Sequence, residues 1–148
     1  MKNSRIVVIT GASDGIGRSL AIQYAKQSDI VIMLARSKEK LQLLEQELTK
    51  QHYSAEAMVT DLTSVSDIKK TFDQIKQKYK MIDILINNAA VGLFAKISET
   101  SAADAQLLFA TNFFGPLLCI QQALPLMSNG GRIVKISSAI AKHASFYQ

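Results

Sequence analysis

Eight residues near the start of the chain, TGASDGIG from Thr10 to Gly17, place three glycines, Gly11, Gly15 and Gly17, at steps of four and two. Glycines so spaced let a backbone turn sharply, let an anion approach with no Cβ in the way, and let a helix begin close to its neighbours. The N–H groups of Ser13, Asp14, Gly15 and Ile16 and the positive end of the helix then offer a seat for a diphosphate. A plain glycine-rich turn would have the same composition. The position between a strand and a helix is what favours dinucleotide binding. Other polar residues also follow apolar runs. Asp61 follows AEAMVT and could cap the next helix, and Asn88 follows IDILIN and could tie strand ends together. Ser137 and Ser138 follow RIVKI, where serine hydroxyls serve turns readily. Asn112 stands in an otherwise apolar helical stretch, and a buried amide needs partners. His52 and His143 stand alone, so no metal site is expected.

The elements that must position these groups follow from periodicity. RIVVIT (5–10), IVIMLA (30–35), the weaker AEAMVTDL, IDILIN (82–87) and RIVKIS (132–137) read as strands. Between them lie helical stretches. One runs from Gly15 to about Lys26, and a second carries Leu41, Leu44 and Leu48 on one stripe. A third repeats Val65, Ile68, Phe72, Ile75 and Tyr79 at helical steps, with Ser64 and Asp67 as a capping pair. A fourth, Ala102 to Met127, is expected to break at Gly115 and Pro116. Strands alternating with helices imply right-handed crossovers and a doubly wound parallel α/β sheet, with ligands bound beyond the carboxyl ends of the strands.

The 148 residues are a one-domain length, with 48% hydrophobic and 20% charged residues, as in a folded globular protein. The charge of +5 is spread over helix faces on which lysines alternate with acids, which argues against a nucleic-acid surface. No apolar run reads as long enough to span a bilayer, and the N-terminus does not read as a signal peptide. The lone Cys119 sits in FFGPLLCIQQALPLM and is expected to be buried and inert, and the compartment to be cytoplasmic.

In order and spacing these motifs resemble the classical short-chain dehydrogenase/reductase family over nearly the whole chain. TGASDGIG is similar to that family's TGxxxGxG turn, with Thr10, Gly11, Ser13, Asp14, Gly15, Ile16 and Gly17 as the matched cofactor contacts. Asp61 and Leu62 resemble its adenine contact, and NNAA resembles its NNAG, with Ala90 in place of glycine and Asn88 and Ala89 as contacts. Asn112 in TNFFG and Ser138 in ISS match the active-site asparagine and serine. The resemblance implies a Rossmann-like fold and reversible hydride transfer between a nicotinamide cofactor and a small carbonyl or secondary alcohol. It gives Asn112 a water in a proton relay to hold, and Ser138 the substrate oxygen.

The end of the second strand bears on which cofactor is taken. An acid there would bind a ribose 2′-hydroxyl, whereas an arginine suits a 2′-phosphate. Ala35, Arg36 and Ser37 occupy the place, so NADP is expected over NAD, although Asp14 in the glycine turn pulls the other way. The family's tyrosine acid must be brought below its usual pKa of about 10 by a lysine four residues on. No YxxxK occurs here, and Tyr147, only nine residues after Ser138, is a poor candidate. Residues 1–148 therefore read as a single partial dinucleotide-binding domain, inactive alone, with a non-catalytic nucleotide-binding module as the alternative. Self-association or aggregation is expected from an open edge at the fifth strand and uncovered apolar helix, and a homo-oligomer for a full-length form. Val91, Leu93 and Phe94 suggest an apolar pocket wall without identifying a substrate.

Overall fold

The computed structural model describes residues 4–93 and 95–138; Phe94, His143 and Tyr147 lie outside the described residues. Five parallel strands, β1 (Ile6–Thr10), β2 (Ile30–Ala35), β3 (Ala55–Val59), β4 (Ile82–Asn87) and β5 (Met127–Lys135), form one sheet in the order β3-β2-β1-β4-β5. Helices α1 (Gly15–Lys26), α2 (Lys38–Lys50) and α3 (Val65–Tyr79) connect the first four strands. β1 is buried throughout, which its unbroken IVVI run requires, since a central parallel strand is covered on both faces. One face carries Val7, Ile9, Val31 and Met33 against Ala21 and Ala25 of α1 and Leu41, Leu44 and Leu48 of α2. The other carries Val8, Ile32, Leu34 and Leu85 against Ile68, Phe72 and Ile75 of α3. Cys119 and Ala123 complete that second layer, from α5 (Gly115–Ala123).

The crossover from β4 to β5 departs from the sequence reading in two respects. α4 (Ala102–Phe109) passes into a π-helical turn, Ala110–Phe114, and then into α5. The irregularity therefore precedes Gly115 and Pro116, and both residues lie inside the helix. Pro116 has no N–H, so the carbonyl four residues back, that of Asn112, loses its α-helical donor, and the wider turn falls there. β5 begins at Met127, five residues before the expected start, and ends at Lys135, before Ser137. Met127 pairs with Ile82 and Arg132 with Ile84, and Gly130 at φ +101° accommodates the extra residues between them.

The helical run Ala102–Leu126 is 25 residues long and, by length and composition alone, apolar enough to cross a membrane, which corrects the sequence reading. A core helix meets the same test. Here Gly115, Pro116, Cys119 and Ala123 are buried on one face, while Phe109, Phe113, Phe114 and Leu117 are exposed on others. Ile133 and Val134 of β5 are also exposed, and β5 forms an edge of the sheet among the described residues.

Candidate functional site

The strand order reverses between β1 and β4, and the loops that leave those two strands are joined there by side chains. Thr10, buried at the end of β1, accepts from the N–H of Asn88 at 3.0 Å and from that of Ala89 at 3.0 Å through Oγ1. Asn88 returns the connection: its Nδ2 donates to the Thr10 carbonyl at 3.1 Å and to the Gly11 carbonyl at 3.3 Å. The glycines make this closeness possible. Gly11 sits at φ +66°, and a Cβ there would stand 2.8 Å from Ala89 Cα. One on Gly17 would stand 2.2 Å from the Gly11 carbonyl oxygen. A Cβ on Gly15, by contrast, would meet nothing within 4 Å.

Gly15 borders a cleft of about 540 Å³ whose floor is the carboxyl ends of the strands. Of the residues singled out by sequence, Gly11, Ser13, Asp14, Gly15, Arg36, Asp61, Leu62, Asn88 and Ala89 line it. Thr10 and Gly17 stand behind the wall as its fastenings, and Ile16 is an exposed residue of the first turn of α1 outside the lining. Val91, expected in an apolar wall, also lines it while Leu93 does not, and Thr60 and Thr111 join the lining. A glycine turn that borders the cleft at the head of a helix could hold a diphosphate, and Asp61 and Leu62 belong to the same lining.

Three charged groups mark the rim. Asp14 caps α1, its Oδ1 accepting from Gly15 N–H at 2.8 Å, while Oδ2 is paired with Lys40 Nζ at 2.6 Å. The hydrogen bond from Lys40, reinforced by that from Gly15, holds the Asp14 carboxyl below the usual carboxylate range. Arg36 is exposed at the end of β2. Asp61 accepts through Oδ1 from the N–H of Thr63 at 2.9 Å and from its hydroxyl at 2.8 Å. The Thr63 backbone bond is the largest cause lowering its pKa; the Thr63 hydroxyl and Arg36 add to it, against desolvation. Asp61 thus shapes the turn into α3, whose N-cap is Ser64, accepting from Asp67 N–H at 3.2 Å, and it still faces the cleft.

Asn112 lies in the π-helical turn and spends both ends of its amide on Val91. Oδ1 accepts from the Val91 N–H at 2.9 Å and Nδ2 donates to the Val91 carbonyl at 2.8 Å. It therefore reaches the cleft through the loop after β4, whose path it fixes. Ser138 is exposed three residues past the end of β5 and outside the cleft lining. The Thr111 hydroxyl and the Asn87 amide are buried without a hydrogen-bond partner among the described residues. Cys119 is fully buried, and burial pushes its thiol up to about 12. Among the described residues no group of histidine, cysteine or acidic side chains could hold a metal.

The sequence reading left the lysines, Lys40 among them, spread over helix faces with the acids and missed the bond of Lys40 to Asp14. No local signal links residues 26 positions apart. Thr111 had a weak signal, as a polar neighbour of Asn112 in an apolar run.

The short chain dehydrogenase profile matches residues 5–148. The 11-beta-hydroxysteroid dehydrogenase-like 2 protein of Arabidopsis thaliana is 36% identical over 141 residues, which are 93% of this chain and 46% of that protein. The 3-oxoacyl-acyl-carrier-protein reductase FabG of Staphylococcus aureus is 30% identical over 95% of this chain and 58% of its own. Among solved structures, a blue fluorescent protein from a metagenomic library in complex with NADPH superposes with a TM-score of 0.92 at 27% identity, covering 97% of this chain and 60% of that one. A metagenomic short-chain oxidoreductase in complex with NADP superposes with a TM-score of 0.91 at 30% identity, over 95% of this chain and 65% of that one. The chain spans about half the length of the relatives it matches.

Proposed function

This chain belongs to the short-chain dehydrogenase family, and from that premise we propose that it binds NADP in the cleft between the β1 and β4 loops. The protein it represents interconverts a small carbonyl compound and a secondary alcohol. The observation that carries the reading is the open glycine turn at the head of α1 with Arg36 on the same rim. That the NADPH- and NADP-bound structures superpose so closely supports it.

In this reading the N–H groups of the Ser13–Ile16 turn other than that of Gly15, which Asp14 engages, hold the diphosphate, Arg36 meets the 2′-phosphate with its planar fork, and Asp61 and Leu62 flank the adenine. When bound, the nicotinamide gives or takes the hydride. Asn88 and Thr10 keep the two loops at the spacing the cofactor needs, and Asn112, with both ends of its amide engaged by Val91, holds that loop beside them. Ser138 donates a hydrogen bond to the substrate oxygen, and the exposed phenylalanines at the end of α4 and in the π-helical turn favour self-association. Because no Tyr-x-x-x-Lys occurs in the 148 residues, binding without turnover is expected of this chain alone. Losing a general acid costs about 10²- to 10⁴-fold in rate.

The binding test compares NADPH with NADH by calorimetry in the natural chain and in Arg36→Ala. NADPH should bind the natural chain more tightly, and the variant should lose that preference. Equal affinities in the natural chain, or equal weakening of both by the variant, would refute the NADP reading. A second reading, a nucleotide-binding module without catalysis, is favoured by the exposed position of Ser138 outside the cleft lining. Offering NADPH with a panel of ketones and aldehydes separates the two, since robust turnover excludes the module.

A further inference from the structure

We infer that Lys40 is a specificity-determining residue, which acts by neutralising Asp14 so that the cleft rim tolerates a 2′-phosphate. The inference rests on the NADP reading and concerns a residue outside the cleft lining. Asp14 lines the cleft together with Arg36 and Ser37, on the side where a 2′-phosphate would lie. A carboxylate there repels that phosphate and opposes Arg36. Its side chain is nevertheless engaged at both oxygens, Oδ1 by Gly15 N–H at 2.8 Å and Oδ2 by Lys40 Nζ at 2.6 Å.

The local chain path explains how Lys40 arrives. β2 ends at Ala35, Arg36 and Ser37 make the turn, and α2 begins at Lys38, so Lys40 lies in its first turn. One short βα connection thus carries Arg36 to the rim and Lys40 to the head of α1. With Lys40 present the three charges sum to +1; without it they sum to zero. Both partners are more than half exposed, and exposed ion pairs contribute little to folding. The consequence of this pair is therefore the charge presented to an anion.

The test titrates the natural chain, Lys40→Met, Lys40→Arg, Asp14→Asn and the double variant with adenosine 2′,5′-bisphosphate and with AMP. Lys40→Met should weaken the bisphosphate about three- to tenfold at low salt, less at high salt, and change AMP by less than twofold. Lys40→Arg should behave as the natural chain. The double variant should match Asp14→Asn, because with no carboxylate to neutralise Lys40 has no further effect. If the double variant stays as weak as Lys40→Met, Lys40 touches the phosphate directly and the neutralising role is overturned. Equal loss for both nucleotides, or no loss, also overturns it. If the natural chain itself does not distinguish the two nucleotides, the NADP reading has failed and this inference falls with it; if Arg36→Ala abolishes the distinction and Lys40→Met leaves it, only the inference has failed.

Discussion

Replacing Gly17 by alanine tests whether the β1 and β4 loops are held together by close backbone approach. The new Cβ would lie 2.2 Å from the Gly11 carbonyl oxygen, 2.5 Å from Asn88 Nδ2 and 2.8 Å from the Gly11 carbonyl carbon. Two of these three atoms are backbone, so no rotamer change relieves the contact and α1 must move by roughly 1 Å relative to the turn. Overpacking of that kind costs about 1–3 kcal/mol. The displaced atoms also belong to the two hydrogen bonds Asn88 makes to Thr10 and Gly11, at 3.1 and 3.3 Å, and each lost bond adds about 0.5–1.5 kcal/mol. Against this, alanine gains about 1 kcal/mol over glycine as a helix residue. The net expectation is a loss of about 1–5 kcal/mol, a large part of the roughly 5–15 kcal/mol that holds a domain folded.

Gly15→Ala is the control. Its Cβ would meet nothing within 4 Å, and only its φ of +52° opposes the change, at about 1–2 kcal/mol. Gly15 borders the cleft, so in the proposed reading its new methyl group crowds the seat of the diphosphate. Urea unfolding followed by circular dichroism, paired with NADPH titration, separates the two effects. Gly17→Ala should be the more destabilised protein, whereas Gly15→Ala should stay folded and lose binding. The reasoning is refuted if Gly17→Ala unfolds within about 0.5 kcal/mol of the natural chain, the range of an inconsequential surface change.

Three other perturbations probe the same end of the sheet. Thr10→Val keeps the shape of a buried side chain but strands the N–H groups of Asn88 and Ala89, so it should cost about 1–3 kcal/mol per group in a urea melt. Asn112→Ala frees the Val91 N–H, whose hydrogen exchange should accelerate relative to the β1 core amides, a change that a uniform loss of stability would not single out. Asp61 has a folded pKa below its unfolded value, so the stability it contributes is present above about pH 4 and is lost as pH falls through the folded value; Asp61→Asn should flatten the acid limb of the stability curve below that pH.

Which features were legible in the sequence follows from how local their causes are. β1, β2 and β4 are covered on both faces and therefore appear as largely apolar runs rich in β-branched residues, and the three-leucine stripe of α2 marks its buried face. The glycine turn was legible because its function requires small residues at fixed offsets. The path of the fourth crossover was not. Gly115 and Pro116 read as a break, yet Gly115 is helical, and a Cβ on it would stand 2.8 Å from the Leu62 carbonyl oxygen. That glycine answers a neighbour 53 positions away, on the wall of the cleft. Asn112 likewise answers Val91, and Lys40 answers Asp14 across two elements. Asp61 shows why the candidate roles of a single residue need not compete: the turn that uses its Oδ1 to start α3 is the same turn that leaves its side chain bordering the cleft. Local pattern thus locates the cleft, while the residues that set its width and charge are fixed by contacts that exist only once the sheet has formed.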